Sequence, residues 1–274
     1  NARDVLKTQL SDISLKLKNL SSQVEDDIQQ LKDSMSSFSV TLFGRTMAGK
    51  STLMEILTHG NGASIGKGSQ RTTRDVRPYC WNGLRITDVP GIAAFEGEED
   101  ETTAFEAAKT ADLILFLVTD DAPQAAEAEC LAKVRNLGKP VLGIINVKVD
   151  IDTTKSYKLM LRDIAKRFDF KRLDGIKAQF FAFAIQYGQD WHDIRFAYVH
   201  LKSAYLSQQP ECNEYAQALA ELSKFEYVEQ FITQEVITRG KFYRVKTFVD
   251  SVGKPLLDTM EKLLWQSAQN SEQG

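Results

Sequence analysis

The sequence predicts an α/β fold: a phosphate-loop domain with a mostly parallel sheet, flanked by long N- and C-terminal helices. Three observations carry that reading. From Phe38 onward, strand-like apolar runs alternate with helix-like segments, the order of a doubly wound sheet. Two of those runs, residues 112–118 and 140–146, are apolar almost throughout, as strands covered on both faces must be. Both ends of the chain carry long apolar-periodic stretches that fit helices and not strands.

The composition agrees. A chain of 274 residues with 43% hydrophobic content can bury a sizeable core, and its formal charge of −3 argues against a broad nucleic-acid face. The three cysteines, Cys80, Cys130 and Cys212, are scattered, which fits a reduced, cytosolic setting. The three histidines form no ligand pattern, so Mg²⁺ is the one metal expected. No apolar run approaches the roughly 18 residues of a membrane span. The first residue is Asn and not Met, which fits a fragment of a longer protein as well as an omitted start.

Residues 3–35 contain neither proline nor glycine. Leu6, Leu10, Ile13, Leu17, Leu20, Val24, Ile28 and Leu31 recur at three- and four-residue steps, a narrow stripe on a helix of roughly 45 Å. Such a helix needs a partner, and the C-terminal helices of the same chain are the favoured one over a second copy.

The functional signal follows at Gly44-Arg45-Thr46-Met47-Ala48-Gly49-Lys50-Ser51-Thr52, between an apolar strand and a helix. Glycines let successive backbone N–H groups turn inward, and the helix N-terminus adds partial positive charge, so Gly44, Thr46, Met47, Ala48 and Gly49 form a phosphate cradle. Lys50 is placed to reach the β- and γ-phosphates of a nucleoside triphosphate, and the Ser51 hydroxyl, next to Thr52, to ligate Mg²⁺. Residues 60–68 read as a loop, followed by Thr72-Thr73 and a hairpin of two strands joined at Asn82-Gly83. The second strand ends in Asp88-Val89-Pro90-Gly91. Asp88 is expected in the Mg²⁺ shell, Gly91 offers an N–H to the γ-phosphate, and Thr73 offers a hydroxyl to Mg²⁺ and an N–H to the γ-phosphate. Lys50, Thr73 and Gly91 are therefore the expected catalytic set, and Ser51, Thr73 and Asp88 the metal set. The acidic run at 96–101 reads as a solvated loop opening a helix.

The strand at 140–146 leads into Asn146-Val147-Lys148-Val149-Asp150. A carboxylate at a strand end reads the N1–H and N2–H donors of guanine, and Lys148 and Asp150 keep the Lys-x-Asp spacing for it. Asn146 stands one residue earlier than the Asn-Lys-x-Asp pattern. Residues 156–168 read as a helix and 179–185 as a last buried strand, which would set Ala184 at the base edge.

These elements, residues 38–185, resemble translation-factor-class GTPases. Thr72-Thr73-Arg74-Asp75 looks like the tRNA-modification and Era groups; Ala48-Gly49-Lys50-Ser51 is shared with those groups and with dynamins; Val147-Lys148-Val149-Asp150 looks more like the dynamin pattern. The flanking helices resemble those of bacterial dynamin-like GTPases, a resemblance that implies that they form a helical neck. The resemblance implies binding of GTP and GDP with Mg²⁺, hydrolysis of GTP, and a homodimer across the nucleotide face. Two residues depart from it. Met47 replaces an Asn that holds K⁺ in the tRNA-modification group, and a thioether is a poor ligand for a hard cation. Ile92 stands where Ras-like enzymes place a water-orienting Gln, so unaided turnover is expected to be slow. Arg45, Arg71 or Arg74 acting in trans is one candidate remedy.

Past the sheet, residues 190–224 read as a helical segment and a long helix begins near Phe225, with Val228, Phe231, Ile232, Val236, Phe242, Val245, Phe248, Val249 and Val252 read as core and a break at Gly253-Lys254-Pro255. The expected domains are thus residues 1–36, 37–189 and 190–274. The clusters Lys166-Arg167 with Lys171-Arg172, and Arg239 to Lys246, read mainly as solvated faces, with a phosphate or lipid-headgroup contact as the minor alternative. Three functions remain in play: a dynamin-like GTP hydrolase stimulated by self-association, with a peripheral membrane or protein partner; a GTP-controlled protein-binding switch; and an Era-like RNA or ribosome factor, which the negative charge disfavours.

Overall fold

A computed structural model describes residues 11–12, 14–16, 18–19, 22, 38–59, 77–92, 98–149 and 156–272. In chain order these form β1 (Phe38–Gly44), α1 (Lys50–Thr58), β2 (Arg77–Trp81), β3 (Leu84–Asp88), α2 (Glu98–Lys109), β4 (Leu113–Thr119), α3 (Ala125–Asn136), β5 (Val141–Asn146), α4 (Tyr157–Arg167), α5 (Phe170–Gln186) and β6 (Arg195–Val199). After β6 come α6 (Leu201–Ser207), a 3₁₀ turn (Pro210–Tyr215), α7 (Ala216–Ser223), α8 (Phe225–Phe248), a π turn (Val249–Gly253) and α9 (Lys254–Glu272).

The sheet has six strands in the order β2-β3-β1-β4-β5-β6. β1, β4, β5 and β6 run parallel and β2–β3 is an antiparallel hairpin, so the predicted class and the predicted hairpin both hold. Every residue of β4 and of β5 is buried, which requires cover on both faces. Two close approaches set the strand spacing. A Cβ on Gly44 would strike the Leu117 carbonyl on β4, and one on Gly143 would strike the Phe196 ring on β6. Glycine at 143 is what lets an aromatic side chain lie flat across β5.

One predicted strand is a helix. Residues 179–185 belong to α5, whose buried side chains Leu173, Ile176, Phe180 and Ala184 recur at three- and four-residue steps. Ile185 is 80% exposed, which a strand buried on both faces would not allow. A short apolar run has no period that separates a buried strand from a buried helix. The true last strand is β6, whose alternation Arg195-Phe196-Ala197-Tyr198-Val199 lies in the segment read as helical.

The chain divides into two compact units, residues 39–243 and residues 1–38 with 244–274. The sheet-containing unit therefore does not stop at 189: β6 and the helices after it belong to it. A satellite cluster of Met160, Ile164, Cys212 and Leu219 packs α4 against the 3₁₀ turn and α7, and Tyr157 stacks on Tyr215 at 3.8 Å. In the other unit, the described positions between 11 and 22 are helical, and the apolar stripe expected there lies outside the described residues. The expected break at Gly253 takes the form of the π turn. Val228, Ile232 and Val252 are buried as expected, whereas Phe242, Val245, Phe248 and Val249 are exposed, because apolar residues surround this helix and do not keep to one face. Among the described residues, no helix is long and apolar enough to cross a membrane.

Candidate functional site

β1 delivers the phosphate loop at the C-terminal end of the parallel strands, where open α/β sheets hold ligands. The Ala48 N–H donates to the Arg45 carbonyl (3.0 Å) and closes the turn. Met47 and Gly49 both adopt positive φ, 67° and 109°. At 49 glycine is obligatory twice over: a Cβ would lie 2.7 Å from the Asn146 amide nitrogen and 2.9 Å from Leu201 Cδ1. α1 then starts with no side-chain cap and no acidic residue in its first turn, so its N-terminal N–H groups stay available to an anion.

Lys50 is buried, with Nζ donating to the Gly44 carbonyl at 3.4 Å. Burial pushes its pKa down, and the nearby Asp88 carboxylate works in the opposite direction. Phosphate oxygens would offset the desolvation that the amine suffers. The Thr46 hydroxyl oxygen is buried without a hydrogen-bond partner. Over it lies Gly91, where a Cβ would come within 2.7 Å of Thr46 Oγ1 and 3.0 Å of Thr46 N. The Asp88–Gly91 turn is thus folded down onto the phosphate loop. Ile92 turns inward instead, buried in the core with Phe43 and Val89.

The base-side elements meet the same loop. The Asn146 amide donates to the Ala48 carbonyl at 2.8 Å and its oxygen accepts from the Leu201 N–H at 3.1 Å. Lys148 Nζ donates to the Met47 carbonyl at 2.8 Å. The extra residue between them, Val147, is fully buried and its N–H donates to the Val199 carbonyl at 2.7 Å. The out-of-register Asn146 is therefore no defect: Val147 is tucked into the sheet, and both polar side chains arrive at the phosphate loop. Burial lowers the Lys148 pKa, against the pull of Asp120 and Asp121.

Asp120, just past β4, anchors this segment. Its Oδ1 accepts from the Lys148 N–H (2.7 Å), and its Oδ2 accepts from Arg172 (2.6 Å) and Arg167 (3.1 Å). The basic residues read as a solvated face are thus, at 167 and 172, consumed in an internal cluster. Asp120 carried a signal that sequence reasoning passed over: an acid directly after an apolar strand, at the ligand end of the sheet. Leu201 and His200 were missed because β6 was misplaced. His200 is 1% exposed and its ring shares a hydrogen bond with Ser203; burial, the largest influence, lowers its pKa to about 4.

Two expectations change, and four further residues lie outside the described ones. Ala184 is buried on α5 in the main core and does not reach a base edge, since its segment is helical. Arg45 is tied within its own chain to Thr119 (2.9 Å), Asp121 (3.5 Å) and Glu127 (3.9 Å), contacts that it would have to give up to be offered in trans. Thr73, Asp150, Arg71 and Arg74 lie outside the described residues. Of the predicted set, the structure brings together Gly44, Thr46, Met47, Ala48, Gly49, Lys50, Gly91, Asn146 and Lys148, with Asp88 buried at the end of β3 and Ser51 and Thr52 on the first turn of α1. Among the described residues there is no group of three or more His, Cys, Asp and Glu side chains that could hold a metal ion.

Residues 39–147 match the family model described as a 50S ribosome-binding GTPase. The GTPase Era of Ruminiclostridium cellulolyticum is 32% identical over 146 residues, covering 51% of this chain and 49% of that protein. The chain spans about half the length of the Era relatives it matches. Among solved structures, Era in complex with MgGDPNP and nucleotides of 16S ribosomal RNA overlaps with a TM-score of 0.43 at 18% identity, over 73% of this chain and 56% of that one. The LeoA bacterial dynamin GTPase from ETEC overlaps with a TM-score of 0.45 at 14% identity, over 88% of this chain and 42% of that one.

Proposed function

We propose that this chain binds GTP in its phosphate-loop domain and hydrolyses it slowly when alone. The observation that carries the reading is the pair of bonds from Asn146 to the Ala48 carbonyl and from Lys148 to the Met47 carbonyl. They tie a base-side loop to a phosphate loop, so one ligand with both a base and phosphates fits across them.

In this reading Lys50 binds the β- and γ-phosphates, and the open N-terminus of α1 adds its dipole. Gly91 directs its N–H at the γ-phosphate. Ser51 and Asp88 are the described residues that would hold Mg²⁺, with Thr73 as a third candidate; the ion neutralises phosphate charge. Asp150 reads guanine. Position 92 contributes an aliphatic side chain packed in the core, which cannot orient water, so the orienting group comes from elsewhere. A second copy across the nucleotide face, offering Arg71 or Arg74, would supply it. The long C-terminal helices α8 and α9 support a dynamin-like use of the cycle, in which the nucleotide state is passed to them.

The similarity to GTPase Era over half of the chain favours a second reading, an RNA- or ribosome-associated GTPase. Against it stands the net charge of −3. Competition of GTP and ATP against a fluorescent GTP analogue tests the core claim: GTP is expected to win by at least about 100-fold, and equal affinity refutes the base assignment. Lys50→Ala is expected to abolish binding or turnover. Turnover that rises with protein concentration supports the dynamin-like reading; tight, salt-sensitive RNA binding supports the other.

A further inference from the structure

Three polar side chains stand on the phosphate loop between residues 44 and 50, and two of them are committed. The Arg45 guanidinium bonds to Thr119 and lies against Asp121, and Lys50 Nζ donates to the Gly44 carbonyl. The third, Thr46, has a hydroxyl oxygen that is buried with no hydrogen-bond partner. A buried polar group left unpaired calls for an explanation, and in a ligand-binding loop a ligand that completes it supplies one.

The position of the hydroxyl says what it would complete. It lies under Gly91, where a Cβ would stand 2.7 Å from Thr46 Oγ1 and 3.1 Å from Thr46 Cα. In the GTP pose proposed above, Lys50 spans the β- and γ-phosphates and Gly91 meets the γ-phosphate. The β-phosphate then lies at the α1 end of the loop and the γ-phosphate at the Thr46–Gly91 end. An attacking water has to come in line with the bond to the β-phosphate, and so from the Thr46–Gly91 side. Ile92, the next residue along, is turned into the core with Phe43 and Val89 and offers that water nothing.

Resting on the reading of this site as a GTPase, we infer that Thr46 is a catalytic residue whose hydroxyl holds the attacking water. Thr46 Oγ1 accepts one hydrogen of the water and donates its own to a γ-phosphate oxygen, which leaves a water lone pair aimed at phosphorus. The water oxygen bonds to phosphorus as the bond from phosphorus to the β–γ bridging oxygen breaks. That electron pair leaves with GDP, and the water's proton passes to a γ-phosphate oxygen, giving inorganic phosphate. Thr46 itself neither gains nor loses a proton. A neutral hydroxyl is a weak acceptor, which agrees with slow turnover by the single chain. An arginine from a second copy would add charge to the same reaction, but a guanidinium carries donors alone and cannot replace the acceptor.

The test uses the full chain with Mg²⁺, reading GTP affinity with a fluorescent analogue and kcat by phosphate release. Thr46→Val keeps the shape of the side chain and loses the hydroxyl. It is expected to lower kcat by at least about 10-fold while GTP affinity stays within about 2-fold. The melting temperature should not change, because the hydroxyl has no partner to lose. Thr46→Ala is expected to match Thr46→Val, and Thr46→Ser, which restores the hydroxyl, to recover most of the rate. Unchanged kcat in Thr46→Val and Thr46→Ala overturns the assignment and leaves the GTPase reading standing. Thr46→Ser as slow as Thr46→Val does the same, since packing and not the hydroxyl is then at fault. So does a loss of GTP affinity as large as the loss of kcat, which places the hydroxyl on phosphate and not on water. A parent chain that fails to bind GTP, or binds it and never hydrolyses it, overturns the GTPase reading itself and this assignment with it.

Discussion

At the scale of single residues, the phosphate loop is held by atoms that leave no slack. Gly49 combines a positive φ with a site whose Cβ position is already filled by Asn146 and Leu201. Gly49→Ala is therefore expected to cost about 1–3 kcal/mol in urea unfolding and to remove nucleotide binding, because the added methyl pushes Asn146 off the Ala48 carbonyl. Met47 shows the tolerated counterpart: it adopts positive φ with its side chain in solvent, and its carbonyl serves Lys148. His200 gives a pH signature. Its pKa falls from 6.5 in the free side chain to about 4 in the fold, so the unfolded chain binds the proton more readily. Stability is then lost as pH falls through 6.5 towards 4, by roughly 3 kcal/mol in all. Melting curves across that window should flatten in His200→Gln relative to the parent, and parallel curves would assign the pH response to other groups.

At the scale of elements, the period of burial separates what was legible from what was not. The phosphate loop, the hairpin at Asn82-Gly83 and the buried strands β4 and β5 were readable because spacing, turn chemistry and continuous apolarity each admit one geometry. Residues 179–185 were not, since apolar side chains in a row satisfy a strand and a buried helix equally. The cost of that ambiguity ran on: with β6 misplaced, Leu201 and His200 could not be connected to the base side. Asp120 is a different case: its place directly after an apolar strand was visible, but its partners Arg167 and Arg172, at the end of α4 and the start of α5, lie roughly fifty residues away, and no local pattern encodes that pairing. Substitution distinguishes the two geometries of α5 directly. Phe180→Ala is expected to cost about 3–5 kcal/mol and Ile185→Lys almost nothing, as measured by denaturant titration. A strand buried on both faces would make both severe.

At the scale of the whole molecule, ligand and fold are thermodynamically linked. Saturating the proposed site with GTP at about one hundred times its dissociation constant should stabilise the 39–243 unit by roughly 2.7 kcal/mol. Hydrogen exchange is the informative measurement: amides of β1, β4 and β5 should slow, whereas those of α9 should not. The same unit is stitched by one amide side chain. Asn146 touches Ala48, 98 residues earlier, and Leu201, 55 residues later. Those separations give the pocket a place in time as well as in space. During synthesis the cradle at Gly44 emerges first, yet its clamp is absent until Asn146 appears and remains half-made until Leu201 follows. A nascent chain released at residue 190 should ignore a fluorescent GTP analogue, and one exposing residues up to about 225 should bind it. Nucleotide can stabilise this fold, but it arrives too late to guide most of it into shape.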